Sequence, residues 1–202
     1  MFNPAAALKL AIACLAAYFL GNINPAILVS RAIGGAEGDI RKQGSGNPGT
    51  TNMLRTYGKK AAAVTLLIDV LKGVVAVLIG RALGGESLAY LCGFLAEIGH
   101  MFPVCWGFKG GKGIATGLGI LLAISPVYGL CELGIAVVAF VATKMVSPGS
   151  LAAAIALPIL ARVFAPGFFW YALALGVIVI YKHRSNISKL MRGEESKISF
   201  KK

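Results

Sequence analysis

Three polar stretches of this chain combine glycines, hydroxyls, amides and cations, the residue types that together can hold an anion. The first reads QGSGNPGTTN, from Gln43 to Asn52, with Arg55 just beyond it. Glycine lets backbone N–H groups turn inward and come close to a phosphate. Ser45, Asn47, Thr50, Thr51 and Asn52 add neutral hydrogen-bonding groups beside the Arg55 cation. A flexible linker is the plainer reading, but a linker has no need of two asparagines, two threonines and a proline between Ser45 and Asn52. The second stretch is FKGGKGIATG, Phe108 to Gly117, in which Gly110, Gly111 and Gly113 flank Lys112. A nucleotide-hydrolysing P-loop would require glycine at position 106 and a hydroxyl residue at 113; Trp106 and Gly113 stand there, so that chemistry is not supported. Glycines leading into an apolar helix still place backbone N–H groups and a positive dipole end near Lys112, which suits an anion.

The third stretch, KHRSNISKL from Lys182 to Leu190, spaces His183 and Asn186 so that a helix would show both on one face. Histidine near neutral pH can bind phosphate or move a proton, although a surface histidine among lysines is the plainer reading. A shorter element, KMVSPGS, offers Lys144, Ser147 and Ser150 on the same predicted cytoplasmic face. The cysteines Cys14, Cys92, Cys105 and Cys131 show no metal-ligand spacing and read as packing residues.

The elements that must position these groups belong in a membrane. The chain has 202 residues, is 57% hydrophobic and only 14% charged, and has a mean hydropathy of +0.76, outside the usual range of soluble domains. Spans of about 20 apolar residues are predicted at Ala5 to Val29, Ala61 to Ala82 and Ser87 to Trp106. Proline and glycine at Ser125-Pro126, in KMVSPGS and in APG at Ala165 to Gly167 divide the remainder, Ile114 to Tyr181, into four shorter helices. The expectation is an all-α polytopic bundle of about seven transmembrane helices in a single domain, with five full spans if some segments are re-entrant. Lys9 lies inside the first apolar run rather than ahead of it, so no cleaved signal peptide is predicted.

The net charge of +12 could suit nucleic acid, an acidic membrane surface or an anionic substrate. Sixteen of the twenty lysines and arginines fall on one side of the seven-span arrangement. That places the N-terminus outside and the C-terminus in the cytoplasm. Basic residues spread through short membrane-flanking loops argue against nucleic acid. Within the spans, Asp69 and Lys72 are three residues apart and Glu97 precedes His100 by one turn. Each such group costs about 2.5 to 3.5 kcal/mol in a membrane; an internal salt bridge or a brace for the loops reads at least as well as direct catalysis.

In order along nearly the whole chain, GSGNPGTTN, GHMFPVCWGFKGGKGIATG and KHRSNISKLMRGEESK, together with DVLKG and KMVSPGS, resemble the motifs of one family. It is the bacterial acyl-phosphate-dependent glycerol-3-phosphate acyltransferases, the PlsY type. The resemblance implies a seven-helix enzyme of the bacterial inner membrane with its active site facing the cytoplasm. Its substrates would be acyl phosphate, supplied by a peripheral enzyme, and sn-glycerol 3-phosphate, acylated on its 1-hydroxyl to give lysophosphatidic acid and phosphate. Departures are mild: Thr50 replaces an alanine, Lys144 and Lys189 stand where arginine is usual, and Cys105-Trp106 interrupts an aromatic run. Lysine at 144 cannot grip an anion with two prongs.

An acyl phosphate is already activated, so neither a metal nor a cofactor nor an enzyme nucleophile is called for. On this reading Lys112, Ser147 or Ser150, and His183 hold acyl phosphate, while Ser45, Arg55 and Asn186 hold glycerol 3-phosphate. Asn47, Thr51, Asn52, Gly110, Gly111, Gly113 and Lys144 complete the binding set, Asn47 and Asn52 by shaping the loop. The general base is either His183 or a substrate phosphate. Coenzyme A-dependent enzymes resemble one another in an HxxxxD pair; Cys105 and Ser188 occupy the acid's position after His100 and His183, which argues against that donor. A transporter for an organic phosphate and a regulatory membrane subunit are the rival classes. The former would ordinarily carry an internal repeat, and no convincing one is present.

Overall fold

Asparagine and proline at the end of the first apolar run break it in two. α1 (Pro4–Asn22) stops, Asn24 accepts a hydrogen bond from the Ile27 N–H at 3.1 Å, and Pro25 opens α2 (Pro25–Gly34). Proline is well placed in a first turn, where an N–H would lack an intrahelical partner. The single span predicted from Ala5 to Val29 is therefore two helices. The computed structural model describes residues 4–198, and these divide into two compact units, the first ending at Ile124 and the second beginning at Ser125.

In the first unit, α3 (Thr50–Met101) contains the second predicted span and most of the third. It bends at Gly58 (φ 82°) and reverses at Gly84 and Gly85, the latter with φ 70°, a conformation open mainly to glycine. Arg81 and Glu86 pair across this reversal, and Arg81 Nη1 donates to the Ala123 carbonyl at 2.9 Å. The limbs, 59–83 and 86–101, run against each other, and the second ends earlier than the predicted Trp106 because Phe102 precedes Pro103 and leaves helical geometry. α4 (Ile114–Ile124) follows, with 11 residues. At 1.5 Å per residue it is about 16 Å long, well short of a hydrocarbon core of about 30 Å.

Small residues let these helices touch backbone to backbone, as membrane helices do. A Cβ on Gly21 would lie 2.1 Å from the Ala96 carbonyl oxygen, and one on Gly99 would lie 2.2 Å from that of Tyr18, so α1 is pressed onto the second limb. Gly73 and Gly119 do the same for the first limb and α4, with Cβ positions 2.4 Å and 2.0 Å from carbonyl oxygens of Thr116 and Val70.

The second unit holds α5 (Pro126–Thr143), α6 (Val146–Phe164), α7 (Phe169–Lys182) and α8 (Arg184–Met191). Ser125 caps α5, Lys144 ends it in a left-handed conformation (φ 60°), and the Tyr128 hydroxyl donates to the Leu157 carbonyl at 2.5 Å. The four helices predicted between Ile114 and Tyr181 are thus α4 to α7. Among the described residues the apolar segments number seven, counting α1, the two limbs of α3 and α4 to α7. Val138, Val163 and Trp170 are 70%, 70% and 72% exposed, an apolar surface suited to lipid.

Candidate active site

The first polar stretch is loop only as far as Gly49; its last three residues begin α3. Gly44 and Gly46 take positive φ, 55° and 70°. Asn52, buried in the first turn, ties the loop down: its Oδ1 accepts from the Ser45 N–H at 3.0 Å, and its Nδ2 donates to the carbonyls of Gln43 at 3.0 Å and Ile40 at 3.3 Å. The Asn52 side chain is thus engaged in bracing the loop. Ser45 is exposed at the loop's tip, Asn47 and Thr51 are half-buried, and Arg55 stands exposed one turn after Thr51. Asp39 clamps the base of the loop. Its hydrogen bonds from the Arg41 side chain, reinforced by Arg31, hold its carboxyl well below the usual carboxylate range despite burial. Both arginines face the Trp106 ring, whose Nε1 donates to the Asn22 carbonyl at 2.9 Å.

The second stretch lies against the first. The Gly111 N–H donates to the His100 carbonyl at 3.2 Å. A Cβ on Gly111 would lie 2.2 Å from His100 Nε2 and 3.2 Å from the Pro48 carbonyl oxygen, so this glycine sits where the two loops meet. A Cβ on Gly110 would strike the His100 carbonyl at 2.0 Å, and one on Gly113 would strike Glu97 Oε1 at 2.2 Å. Only glycine lets the backbone lie this close to His100 and Glu97, and Lys112 projects half-buried from between them.

Beneath this seam is a buried polar cluster. Lys72 Nζ lies 2.7 Å from Asp69 Oδ1 and 2.8 Å from His100 Nδ1, and donates to the Ile23 carbonyl at 2.7 Å and that of Gly21 at 3.2 Å. Sequence spacing pairs Asp69 with Lys72 and Glu97 with His100. Folding joins His100 to the first pair and adds the carbonyls at the end of α1, which no linear pattern announces.

In the second unit, Ser147 and Ser150 are buried on the first turns of α6, not in a loop, and Ser150 Oγ donates to the Val146 carbonyl at 3.3 Å. His183 joins α7 to α8, is 3% exposed, and its Nδ1 lies 2.8 Å from the Val179 carbonyl oxygen. In the neutral ring Nδ1 therefore carries the proton. The Asn186 N–H donates to the His183 carbonyl at 2.8 Å, so both side chains belong to one helical turn. Asn186 Nδ2 reaches Ser147 Oγ at 2.8 Å and Glu195 Oε1 at 2.9 Å, and the Ser147 hydroxyl is also hydrogen-bonded to Glu195. The tail returns to α5, with the Ile198 N–H donating to the Lys144 carbonyl at 2.9 Å, while the Lys144 side chain is exposed.

Glu195 escaped the sequence reading. Nothing local separates it from Glu194, which pairs with Arg192 at the surface; only the returning tail buries one and exposes the other. Its carboxylate is the common acceptor for Ser147 and Asn186. Glu195→Ala would leave the buried Ser147 hydroxyl without its acceptor and take from Asn186 Nδ2 one of its acceptors, at about 1–3 kcal/mol for the buried group. Detergent-solubilised Glu195→Ala is therefore expected to melt lower than the unsubstituted protein and to lose turnover with it. Glu195→Gln, which keeps one acceptor oxygen, should fall between the two.

These features define the class as an all-α, multi-pass integral membrane protein with its polar chemistry in glycine-rich loops and helix starts. The family described as glycerol-3-phosphate acyltransferase matches residues 11–193, and the chain belongs to it. The glycerol-3-phosphate acyltransferase of Thermoanaerobacter pseudethanolicus is 43% identical over 192 residues, covering 94% of this chain and 96% of that protein. The one from Neisseria meningitidis serogroup B is 45% identical over 207 residues, covering 98% of each. A crystal structure of PlsY (YgiH), an integral membrane glycerol 3-phosphate acyltransferase in its glycerol 3-phosphate form, superposes with a TM-score of 0.88 at 34% identity. It covers 94% of this chain and 96% of that one. The lysophosphatidic acid form of PlsY gives 0.83 at 33% identity, covering 94% and 95%.

Proposed function

We propose that this chain transfers a fatty acyl group from acyl phosphate to the 1-hydroxyl of sn-glycerol 3-phosphate, releasing lysophosphatidic acid and inorganic phosphate. The observation that carries the reading is the seam in the first unit, where Pro48 of one anion-suited loop meets Gly111 of the other beside Lys112, in a chain of this family. The gathering of sixteen of twenty cations on one side supports a bacterial inner-membrane protein with its N-terminus outside and its active site facing the cytoplasm. The whole chain then acts as one acyltransferase domain.

The chemistry follows from the substrates. The glycerol 1-oxygen forms a bond to the acyl carbon, and the anhydride carbon–oxygen bond breaks with its electron pair leaving on phosphate. Charge grows first on the tetrahedral oxyanion and then on the departing phosphate, so fixed cations and N–H groups supply most of the rate. Lys112, with the backbone of Gly110, Gly111 and Gly113, serves acyl phosphate; so do His183, Ser147 and Ser150. Ser45, Arg55 and Asn186 serve glycerol 3-phosphate, with Asn47, Thr51 and Asn52 shaping the loop and Lys144 adding positive charge. His183 Nε2 accepts the hydroxyl proton.

Purified protein given acyl phosphate and glycerol 3-phosphate is expected to release phosphate and lysophosphatidic acid in equal amounts, and to form no product from acyl-coenzyme A. Flux of an organic phosphate across vesicles with no acylated product would replace this reading with transport.

A further inference from the structure

Trp106 stands just ahead of the second polar stretch, yet much of what it touches belongs to the first. Arg41 Nη1 donates to the Trp106 carbonyl at 3.0 Å, while the same guanidinium holds Asp39 through Nη2 at 2.7 Å and Nε at 3.0 Å. The Arg41 carbonyl oxygen in turn lies 3.2 Å from where a Cβ on Gly46 would be, inside the first loop. The guanidinium carbons of Arg31 and Arg41 are 5.1 Å and 5.7 Å from the centroid of the Trp106 ring, within reach of a cation–π attraction. The indole N–H is engaged by the Asn22 carbonyl at the end of α1, and the ring packs against the apolar cluster that includes Ile40 and Met53 under the first loop. The chain beyond Trp106 needs such a hold. Gly107 and Phe108 both have positive φ, 63° and 60°, and for a bulky side chain that conformation persists only where the surroundings over-determine it. The Phe108 N–H donates to the Pro103 carbonyl at 2.8 Å and the Lys109 N–H to the Trp106 carbonyl at 3.4 Å. The oxygen that Arg41 grips is therefore also the one from which the run to Lys112 departs.

We propose that Trp106 is a positioning residue that sets the loop carrying Lys112 against the loop carrying Ser45 and Arg55, and so aligns acyl phosphate with the hydroxyl that attacks it. The proposal rests on the acyltransferase reading. Each loop keeps its own binding groups, so loss of Trp106 leaves both substrates bound but out of line, and a misplacement of about 1 Å can cost about 100-fold in rate. An activated acyl carbon that no longer faces the glycerol hydroxyl is open to water. The water oxygen then bonds to the acyl carbon, and the anhydride carbon–oxygen bond breaks with its electron pair on phosphate. The protons of the water pass to phosphate and solvent, and a fatty acid leaves in place of lysophosphatidic acid.

The test gives full-length protein in detergent both substrates and counts enzyme-dependent phosphate and lysophosphatidic acid side by side. Unsubstituted protein is expected to yield the two in equal amounts. In Trp106→Leu, lysophosphatidic acid formation should fall about 100-fold with little change in either KM, and phosphate should exceed lysophosphatidic acid, the difference appearing as fatty acid. Trp106→Phe keeps an aromatic ring facing the two guanidinium groups and gives up only the indole N–H, so it should restore most of the balance. Arg41→Lys can keep the ion pair with Asp39 but has no planar fork with which to hold the Trp106 carbonyl as well, and it too should release excess phosphate. The ratio does not depend on how much of the protein is folded; a merely structural role would lower both products together. Equal yields in Trp106→Leu overturn the proposal, and where that variant fails to fold, equal yields in Arg41→Lys overturn it. Unsubstituted protein that makes no lysophosphatidic acid refutes the acyltransferase reading instead.

Discussion

Lys112→Ala is expected to lower kcat/KM by about 10²–10³, the usual effect of removing one preorganised charge or donor from a developing oxyanion, with no matching loss of thermal stability. Both halves of the expectation follow from how the residue is mounted. The glycines on either side are held from below, Gly111 through its N–H to the His100 carbonyl at 3.2 Å and Gly113 by packing so close to the Glu97 carboxyl that no Cβ would fit. The backbone geometry is thus set by residues other than Lys112, and Lys112, half-buried, contributes its charge rather than core packing. Lys112→Arg keeps the charge but exchanges a compact ammonium for a broad planar fork, so it should recover only part of the rate. Phosphate release measured beside a melting curve in detergent separates the two effects. Undiminished turnover in Lys112→Ala would remove the second loop from the chemistry altogether.

The limits of the sequence reading fall where chain-distant groups converge. Proline and glycine punctuation located the helices after Ile114 because those residues act locally: Ser125-Pro126 starts α5 with a cap, and Lys144 stops it. The same local rule applied to Asn24-Pro25 would have divided the first span, but the apolar residues on both sides masked it. Gly84 and Gly85 mark the reversal inside α3. The anion-suited character of the first two loops was legible from composition, yet their contact at Pro48 and Gly111 was not, since nothing in either motif refers to the other. Likewise Asp69, Lys72 and His100 read as two separate local pairs until the two limbs of α3 folded together, and Glu195 acquires its role only when the tail turns back on α6. The helical start of α6 also sets Ser147 and Ser150 on a fixed turn, because Met145, with β-region geometry (φ −118°, ψ 140°), is already the residue before the helix.

His183→Ala is expected to cost about 10²–10⁴ in turnover, the usual contribution of a positioned acid–base group, and to change the shape of the pH profile as well as its height. With Nδ1 committed to the Val179 carbonyl at 2.8 Å, the neutral ring has its lone pair on Nε2, the form that a general base at this position requires. Protonation of the ring removes that lone pair, so kcat/KM should rise with pH as the ring loses its second proton and then level off. In His183→Ala this ascending limb should vanish and leave a low, nearly flat profile. If the limb persists at reduced height, the proton goes to a substrate phosphate, whose second ionisation lies near neutrality, and His183 serves instead as a hydrogen-bond donor to bound phosphate. His183→Gln sharpens the comparison, because an amide can donate a hydrogen bond but cannot act as a base at neutral pH. Recovery of turnover in the glutamine variant would speak for donation, and continued loss with a flat profile for proton transfer at Nε2.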